Sequence, residues 1–425
     1  MDGEVGRFGF VTHRLERDGE VIFDSAGDLF RRLKTNELYL TRGFKEVAMV
    51  YGSVEQSYRK TAQLINRVRY QTRDGTPMRT LQEQTEAEGE RYQRQIESQA
   101  EEILKNHNLS LLPSSEKKKP RFGLARAAEK EAREIAAVVA QCATDEEARR
   151  EMLANPVGYE EARRSVNVSV DDVGVKRQKA ERKKGVAETG DGGQSGAQAP
   201  RASSKTKFIH TTVAEVQTEQ GKYVLSGAGS IKVLRMALAF LLANGLSGRQ
   251  VICFVDGQKS LHTALGEVFD CFRQWKVILD WFHLKKKCCQ LTSLALKGKA
   301  SRNEVLNHLL SLLWDGRVES AIEYLSEVKP EKIKDGAQLE QLKGYLERSR
   351  PYIPCYSARK KLGLRNSSNR GEKENDLIVS ERQKHNGMSW SETGSLALAS
   401  LATAAQNQEA LPWFRTGEIN FNLAA

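Results

Sequence analysis

Apolar residues recur at helical spacing along much of the first 155 positions. The segments "GFKEVAMVYG" and "SVEQSYRKTAQLINRVR" carry them every three or four residues, as one face of an amphipathic helix requires. Gly52 divides the two segments and Ser53 is a candidate N-cap, so the pattern is helix, glycine turn, helix. We therefore predict an N-terminal all-α, helix-turn-helix-like region over residues 1–155. The alternative is a helical bundle with a solvated charged face.

The pattern changes to that of strands in the middle of the chain. Valines alternate in "VNVSVDDVGVK", and "FIHTTVAEVQTEQGKYVLSG" is typical of a hairpin with its turn at Glu219-Gln220-Gly221. "RQVICFVDG" and "KVILDWFH" are runs of β-branched and aromatic residues, separated by an amphipathic helical segment. Strands that alternate with helices in this order predict an α/β fold, a mixed sheet covered by helices, over residues 160–283.

Helical spacing returns after residue 283. We predict an all-helical segment over residues 284–365, a further helix within residues 366–410, and a short tail over residues 411–425. By contrast, residues 180–206 are rich in glycine, alanine, serine and glutamine, a composition that buries too little apolar surface to order itself. We predict that this segment is a mobile loop within the α/β region.

Aspartates stand where three of the predicted strands end. The first strand runs into Asp171-Asp172, the second into Asp256 and the third into Asp280. Because functional groups of an open α/β sheet collect at the carboxyl ends of its strands, we expect these carboxylates to share one crevice. Carboxylate oxygens are ligands that Mg²⁺ prefers, and two such ions can hold the attacking and leaving oxygens of a phosphoryl transfer. In the plainer interpretation, Asp256-Gly257 is a turn and Asp280 a helix cap.

Charge and cysteine content narrow the function classes. The chain has a formal net charge of +11, and this excess of lysine and arginine favours a polyanionic partner, nucleic acid before an acidic membrane surface. The chain has no apolar run of about 18 residues and begins without the pattern of a secretion signal, so we expect a cytoplasmic protein with no membrane partner. The six cysteines form no CxxC pair, which predicts reduced thiols and argues against a zinc site.

Four blocks of the chain resemble a known family. "VSVDDVGVKRQK", "VICFVDGQKSLHTAL", "KVILDWFHLKKK" and "RGEKENDLIVSERQKHNGMSWSETGSLALASL" are similar to the blocks of bacterial DDE transposases, and most similar to the Kra-type insertion-sequence group of the Mutator-like superfamily. The resemblance covers roughly residues 160–410. Its most specific parts are the "RQKHNGMSW" block and the spacing from Asp256 to the D-x-x-H motif that runs from Asp280 to His283. It implies an RNase H-like core with an all-helical insertion before the last acidic residue.

The same resemblance implies roles for individual residues. Three of them are implied to be catalytic acids that bind two Mg²⁺ or Mn²⁺ ions: Asp171, Asp256 and Glu372. Three more are implied to support that site: Asp172, Asp280 and His283. Helical phase favours Glu372 over Glu374, although both this choice and that between Asp171 and Asp172 stay open. The implied activity is metal-dependent cleavage and strand transfer of an insertion sequence.

Basic residues near these motifs are predicted to contact DNA phosphates. They are Lys176, Arg177, Lys183, Lys184, Lys285, Lys286, Lys287, Arg382 and Lys384. The implied partners are the terminal inverted repeats of the element and the target DNA, bound by a homo-oligomer in the nucleoid. Two other functions remain open: an RNase H-like nuclease that cuts without joining, and an inactive DNA-binding relative of the transposases.

Overall fold

The computed structural model describes most of the chain. The described residues are 2–3, 6–7, 14–17, 20–24, 42–68, 77–112, 128–154, 165–178, 207–272, 275–384 and 388–423. The predicted mobile loop lies outside them, and with it Lys183 and Lys184. Among the described residues, no helix combines the length and the apolar character needed to cross a membrane.

The N-terminal region begins with strands and not with helices. Two antiparallel pairs lie there: β1 (Asp2–Gly3) with β2 (Gly6–Arg7), and β3 (Arg14–Arg17) with β4 (Glu20–Asp24). The β-branched residues Val21 and Ile22 favour a strand, and Asp18-Gly19, which separates β3 from β4 in the sequence, is a pair that favours hairpin turns. The all-α prediction is therefore wrong for these first strands.

A continuous helix crosses the point where we predicted a turn. The first helices are α1 (Arg42–Glu46), which continues as the π-helical segment Val47–Val54, and α2 (Tyr58–Val68). Gly52 therefore ends no helix, and Ser53 is buried inside the π-helical segment and caps none, so both predictions are wrong. A β-carbon on Gly52 would lie 2.3 Å from Cγ2 of Thr61. The glycine is needed because the π-helical segment and α2 approach each other closely there.

The next helix belongs to the same hydrophobic core as the central sheet. α3 (Met78–Lys105) is 28 residues long and buries a stripe at helical spacing that includes Leu81, Tyr92 and Ile96. A β-carbon on Gly89 would lie 2.3 Å from the carbonyl oxygen of Ala397, so α3 crosses the helix that carries Ala397 in backbone contact. Two shorter helices follow: α4 (Ala128–Cys142) and α5 (Glu146–Ala154).

Five strands form the central mixed sheet. They are β5 (Ser165–Lys176), β6 (Phe208–Thr218), β7 (Gly221–Gly227), β8 (Gln250–Val255) and β9 (Trp275–Leu279). Their order across the sheet is β7-β6-β5-β8-β9. β6 is antiparallel to β5 and to β7, whereas β8 is parallel to β5 and β9 is parallel to β8. The predicted hairpin of β6 and β7 and the mixed α/β class are confirmed.

Two strand ends differ from the prediction. Asp171 and Asp172 lie within β5, because β5 pairs with β6 as far as Lys176. On its other side β5 pairs with β8 only over residues 165–169. Asp171 therefore lies just beyond the end of a neighbouring strand, although its own strand continues. The third strand is shorter than predicted, because β9 ends at Leu279 and the next residues begin a helix.

Two helices connect the later strands of the sheet. α6 (Ser230–Ala243) follows β7 and α7 (Lys259–Phe269) joins β8 to β9. α6 is apolar and buried along most of its length, and its Phe240 stacks on Tyr223 of β7 with ring centroids 4.3 Å apart. These contacts place α6 in the same core as β7 and α3.

Residues 284–365 form helices joined by short connections, with one isolated antiparallel bridge between Leu296 and Ile333. The helices are α8 (Trp281–Ala295), α9 (Lys299–Trp314), α10 (Val318–Ser326), α11 (Gly336–Ser349) and α12 (Tyr356–Lys361). They enclose a second hydrophobic core, which reaches the sheet through Ile252 and Phe254 of β8 and Ile278 of β9. The helical segment thus packs against β8 and β9, the two parallel strands at one edge of the sheet.

Three helices complete the chain. They are α13 (Asn369–Asn375), which continues through the π-helical segment Asp376–Ser380 into Glu381–Gln383, then α14 (Glu392–Gln406) and α15 (Ala410–Thr416). The predicted tail is folded, because Phe421 is 1% exposed and packs edge to face on Tyr223 and Phe240. Buried Glu409 accepts hydrogen bonds from the hydroxyls of Tyr92 at 2.6 Å and Tyr223 at 2.9 Å. The C-terminal residues therefore belong to the main core.

Candidate active site

A small pocket lined mainly by polar residue types lies beside the sheet at the point where β8 ends. We call it the acidic pocket. Its walls come from β5, β6, the turn after β8, and helices α8 and α13. The residues that line it are Ser169, Val170, Asp171, Val213, Glu215, Asp256, His283, Ser368, Gly371, Glu372 and Asn375. The three carboxylates implied to be catalytic stand on three separate elements, and all three line this pocket.

Alternation along β5 separates its two neighbouring aspartates. Asp171 faces the acidic pocket, where its Oδ2 accepts a 2.7 Å hydrogen bond from the side-chain amide of Asn375. Its Oδ1 accepts a 2.8 Å bond from the backbone N–H of Asp172. The Asp172 side chain points to the other face of the sheet, where its Oδ1 accepts a 2.5 Å bond from the hydroxyl of Thr212. Of the two, Asp171 is the pocket residue.

The turn after β8 positions Asp256. Its Oδ1 accepts a 2.8 Å hydrogen bond from the backbone N–H of Gln258, and Gly257 has a φ of 93°, a left-handed conformation that favours glycine. The Asp256-Gly257 pair is therefore a turn, as the plainer interpretation holds. Its carboxylate also lines the acidic pocket, so the turn holds a charged group at the end of a buried strand.

Asp280 fastens two helices together behind the pocket. It is 0% exposed and caps α8, because its Oδ1 accepts a 3.1 Å hydrogen bond from the backbone N–H of His283. Its Oδ2 accepts hydrogen bonds from the backbone N–H and, at 2.9 Å, from the hydroxyl of Ser368, which directly precedes α13. Asp280 is absent from the described lining of the pocket, so it supports the site from outside.

His283 connects that cap to the acidic pocket. Its Nδ1 lies 3.3 Å from Oδ1 of Asp280, and its Nε2 lies 3.5 Å from Oε1 of Glu372. The hydrogen bond to Asp280 raises the pKa of His283, an effect that burial opposes and the carboxylates of Glu372 and Asp256 reinforce. The two flanking carboxylates therefore favour a positive charge on this ring, which lies between a buried carboxylate and one in the pocket.

One of the acidic residues near α13 faces the pocket. Glu372 lines it with a side chain that is 38% exposed. Glu374 is buried and forms an ion pair with Lys222 of β7. Asp376 and Glu381 are exposed and are not in the described lining. The geometry agrees with the helical phase that favoured Glu372.

Gly371 allows α13 to lie close to the sheet. A β-carbon on this residue would lie 2.7 Å from Cβ of Ser169, which is closer than two non-bonded carbon atoms can approach without a shift of one of them. Asn375, one helical turn later, reaches Asp171 from the same face of α13. The glycine therefore sets the distance between Glu372 on the helix and Asp171 on the strand.

Two aspartates of this region have opposite pKa shifts. Burial raises the pKa of Asp171 to about 6, and the neighbouring Asp256 carboxylate adds to this shift. Burial also acts to raise the pKa of Asp280, but the hydrogen bonds from His283 and Ser368 outweigh it and lower the pKa to about 2. Asp171 thus takes up a proton readily, whereas Asp280 remains ionised.

The pocket suits a divalent cation by the chemistry of its donors, since Mg²⁺ and Mn²⁺ prefer carboxylate oxygens. In their present rotamers, the described histidine, cysteine, aspartate and glutamate side chains form no group of three that could hold a metal ion. Asn375 holds Asp171 and His283 lies beside Glu372. The side chains of Asp171 and Glu372 would therefore have to rotate in order to bind one shared ion.

All six cysteines are free thiols, as predicted.

Sequence reasoning assigned no role in the site to four polar residues of the pocket, which are Ser169, Glu215, Ser368 and Asn375. Asn375 hydrogen-bonds Asp171, and Glu215 of β6 lies opposite Ser169 with 1% exposure. Asn375 had a visible signal, because it follows Glu372 by three positions on a helix. The signal for Glu215 appears only with the register of β6 against β5, which no short stretch of sequence contains.

The predicted DNA-contacting residues divide into exposed and buried groups. Lys176, Lys285, Lys286 and Lys384 are exposed. Lys287 is half-buried. Arg177 forms a 2.9 Å ion pair with Glu392.

Arg382 has surroundings that differ from those of an exposed phosphate contact. It is 5% exposed, and its Nε donates a 2.9 Å hydrogen bond to the carbonyl oxygen of Ser53. Its Cζ lies 4.9 Å from the ring centroid of Trp390 and 5.4 Å from that of Tyr58. Arg382 is therefore enclosed by Ser53, Tyr58 and Trp390.

Comparison of the chain with protein-family models, with curated proteins and with solved structures found no match.

Proposed function

We propose that this chain is a DDE-type transposase, a metal-dependent enzyme that cuts and joins DNA strands. The observation that carries the proposal is that Asp171, Asp256 and Glu372 line one pocket. They come from a strand, a turn and a helix that are far apart in the sequence. Chain folding has thus brought together the three acids that the family resemblance implies.

The strand order supports an RNase H-like core. The first three strands of the sheet are antiparallel neighbours and the last two are parallel to the first, as such a core requires. Asp171 stands on the central strand β5 and Asp256 directly after β8, its parallel neighbour. Glu372 follows the helical segment of α8 to α12, which is where the resemblance places the last acid.

Asp171, Asp256 and Glu372 would hold Mg²⁺ or Mn²⁺. When bound, two such ions lower the pKa of an attacking water or DNA 3′-hydroxyl and stabilise the leaving oxygen of the phosphodiester.

Other residues of the chain set the position and protonation of these acids. Asp171, with a pKa of about 6, is mostly ionised at pH 7.5 and becomes protonated in mild acid. His283 lies within 3.5 Å of Glu372 and is itself held by Asp280. Gly371 keeps the helix of Glu372 against β5. These contacts orient Glu372 beside β5.

The charge of the protein supports a DNA substrate. The net charge is +11, and exposed Lys285 and Lys286 follow His283 on α8 within one helical turn. Counterions released from DNA by such contacts make the affinity fall steeply with salt concentration. We include in the proposal the partners that the resemblance implies: terminal repeats, target DNA and a second copy of the chain.

A cleavage and joining assay tests the proposal. The substrate is a duplex that carries the sequence flanking this coding region, mixed with a plasmid target and Mg²⁺. We expect the wild-type chain to cut the duplex and join it to the plasmid, and Asp256→Ala to do neither while it still binds the duplex. Exposed Asp270→Ala is the matched control and is expected to retain activity.

Two results would change the assignment. Cutting without joined product by the wild-type chain would leave the nuclease as the function. Cleavage by Asp256→Ala within tenfold of wild type would remove the acidic pocket from the reaction.

A further inference from the structure

One exposed aromatic side chain stands next to the acidic pocket. In the described part of the chain, three large aromatic side chains are well exposed: Tyr51 at 65%, Phe208 at 52% and Phe282 at 49%. Of these three, Phe282 is the one that directly precedes a residue of the pocket lining, His283. The ring centroids of Phe282 and His283 lie 5.8 Å apart. The flat face of a ring in this position can be reached by a substrate at the pocket.

The first turn of α8 fixes where this ring points. Trp281 packs against the second hydrophobic core and Leu284 is buried within it. His283 faces the acidic pocket. Phe282 is therefore left on the outer side of the helix. The cap that Asp280 provides holds this turn in place, so contact with a ligand would cost little ordering of the backbone.

Two lysines continue the same face of α8. Lys285 and Lys286 follow Phe282 by three and four positions, the spacing at which side chains of a helix are neighbours. Both are exposed, and neither forms an ion pair with another described residue. The helix itself contains no acidic residue from Trp281 to Ala295. This face therefore combines an apolar ring with positive charge that remains open to a ligand.

The combination fits a single strand of DNA. The lysines alone would suit any polyanion, because they bind phosphates without regard to sequence. The ring beside them favours a polyanion that carries flat, unpaired groups, since an aromatic side chain stacks on the face of an unpaired base. Inside a duplex both faces of a base pair are covered by its neighbours, so the ring would find no base to stack on there.

The geometry points to Phe282 as a stacking platform for one unpaired base of the DNA, beside the phosphodiester that is held at the acidic pocket. His283 adjoins the ring and lies 3.5 Å from Glu372. A nucleotide whose phosphate lies at the pocket therefore has its own base or the next one within reach of the ring. The inference rests on the proposed function for the place of the phosphodiester, and on α8 alone for the binding of a single strand.

Binding of short strands to the full chain tests it, in the absence of divalent metal ions so that no strand is cut. The probes are a fluorescent oligothymidylate and a strand with the same number of phosphates in which every base is missing. We expect wild type to bind the oligothymidylate at least about tenfold more tightly, within the range that stacking of one base gives. Phe282→Ala should reduce this ratio of affinities by about tenfold. Phe282→Trp should keep it, because an indole ring also stacks on bases.

Two further variants on α8 separate stacking from charge and from exposed apolar surface. Lys286→Ala should weaken the binding of both strands alike and leave their ratio unchanged, because it removes a phosphate contact. Leu294→Ala, at an apolar residue 46% exposed on the same helix, should change neither affinity. The melting temperature of each variant reports whether it is folded.

Four results would overturn the inference. They are equal or absent binding of the two strands by wild type, an unchanged ratio in Phe282→Ala, an equal loss of the ratio in Phe282→Trp, and a change of oligomeric state in Phe282→Ala with the ratio unchanged. The last would assign the ring to a contact between copies of the chain. Failure of the Asp256 cleavage test with the ratio intact would instead count against the proposed function alone.

Discussion

The acidic pocket and the N-terminal cap of α8 lie next to each other, and each contains an aspartate. The pKa values of these two aspartates are shifted in opposite directions. Asp171 in the pocket has a pKa raised to about 6, by burial and by the carboxylate of Asp256. Asp280 in the cap is fully buried, yet bonds from His283 and Ser368 hold its pKa at about 2. The number and kind of donors around each carboxylate decide the sign of the shift, and burial by itself does not.

This difference in pKa indicates that Asp280 stabilises the folded protein at neutral pH, whereas Asp171 destabilises it. A depressed pKa means that the folded state favours the ionised carboxylate, so Asp280 adds stability at neutral pH. A raised pKa means that the ionised form is disfavoured, so Asp171 subtracts stability there. A residue that costs stability is common at functional sites, where a cation or substrate supplies the missing charge.

Substitution of the glutamates of α13 should give the largest effect on activity. We expect Glu372→Gln to lower DNA cleavage by at least about a thousandfold, as loss of a metal ligand does. Glu374→Gln, which weakens the buried pair with Lys222, should lower stability and leave cleavage by the folded protein within about tenfold. Cleavage rates corrected for the folded fraction check both. An inactive Glu374→Gln variant together with an active Glu372→Gln variant would show that the third acid is Glu374 and that our assignment of Glu372 is wrong.

Removal of the cap should give the largest effect on stability. Asp280→Ala leaves donors of His283 and Ser368 without their acceptor and should lower the free energy of unfolding by about 3 kcal/mol at pH 7. Because the pKa of Asp280 is depressed, wild type loses this advantage as the pH falls through about 4 towards about 2. Urea unfolding at pH 7 and pH 3 should therefore show a smaller difference in acid.

A second helix cap serves as the control for that measurement. Asp335 caps α11 with a 2.9 Å hydrogen bond from Ala337 but is exposed. Asp335→Ala should cost only about 1 kcal/mol, as exposed caps do. Equal losses for the two variants would show that Asp280 is an ordinary cap and would break the contrast with Asp171.

Gly371→Ala should disturb the pocket through packing. The added β-carbon would meet Cβ of Ser169 at 2.7 Å and push α13 away from β5. We expect a loss of about 2 kcal/mol in unfolding free energy and a clear loss of cleavage. Gly344→Ala in α11, where a β-carbon meets only the end of the flexible Arg348 side chain, should be neutral or slightly stabilising. A fully active Gly371→Ala would show that the spacing of Glu372 and Asp171 is less strict than proposed.

Asp171→Asn should give the smallest change in stability, with the opposite sign. Removal of a carboxylate whose pKa is raised to about 6 should increase the free energy of unfolding by about 1 kcal/mol at pH 7.5, after allowance for solvent screening. The gain should vanish at pH 4, where Asp171 is protonated in the folded state. Destabilisation at pH 7.5 would mean that the bond with Asn375 outweighs the burial of charge.

Local pattern predicted those parts of the site that depend on neighbouring residues. Asp256 follows a run of buried strand residues, and Glu372 differs from Glu374 by about 200° of helical phase. The hairpin of β6 and β7 was likewise predictable, because its turn chemistry is local.

Contacts between distant segments determined the parts that could not be predicted. β5 continues past Asp171 because β6 pairs with it further than β8 does, a difference that β5 itself does not encode. Glu215 enters the pocket only through the register of that pairing. The burial of Arg382 depends on contacts with Ser53 and Tyr58, which lie more than three hundred positions earlier. We predicted a turn at Gly52 because glycine is common in turns. A glycine that is required by a close contact between helices cannot be distinguished from a turn glycine in the sequence alone.

Titration of Mg²⁺ into the full chain by calorimetry at pH 7.5 is the sharpest test of the acidic pocket as a metal site. Asp171 and Asp172 are adjacent but point to opposite faces of β5, so each is the control for the other. We expect wild type and Asp172→Asn to bind Mg²⁺ and Asp171→Asn not to bind it, with wild-type affinity falling as the pH drops through about 6. Undiminished binding in Asp171→Asn, or its loss in Asp172→Asn alone, would contradict the assignment of the acidic pocket as a metal site.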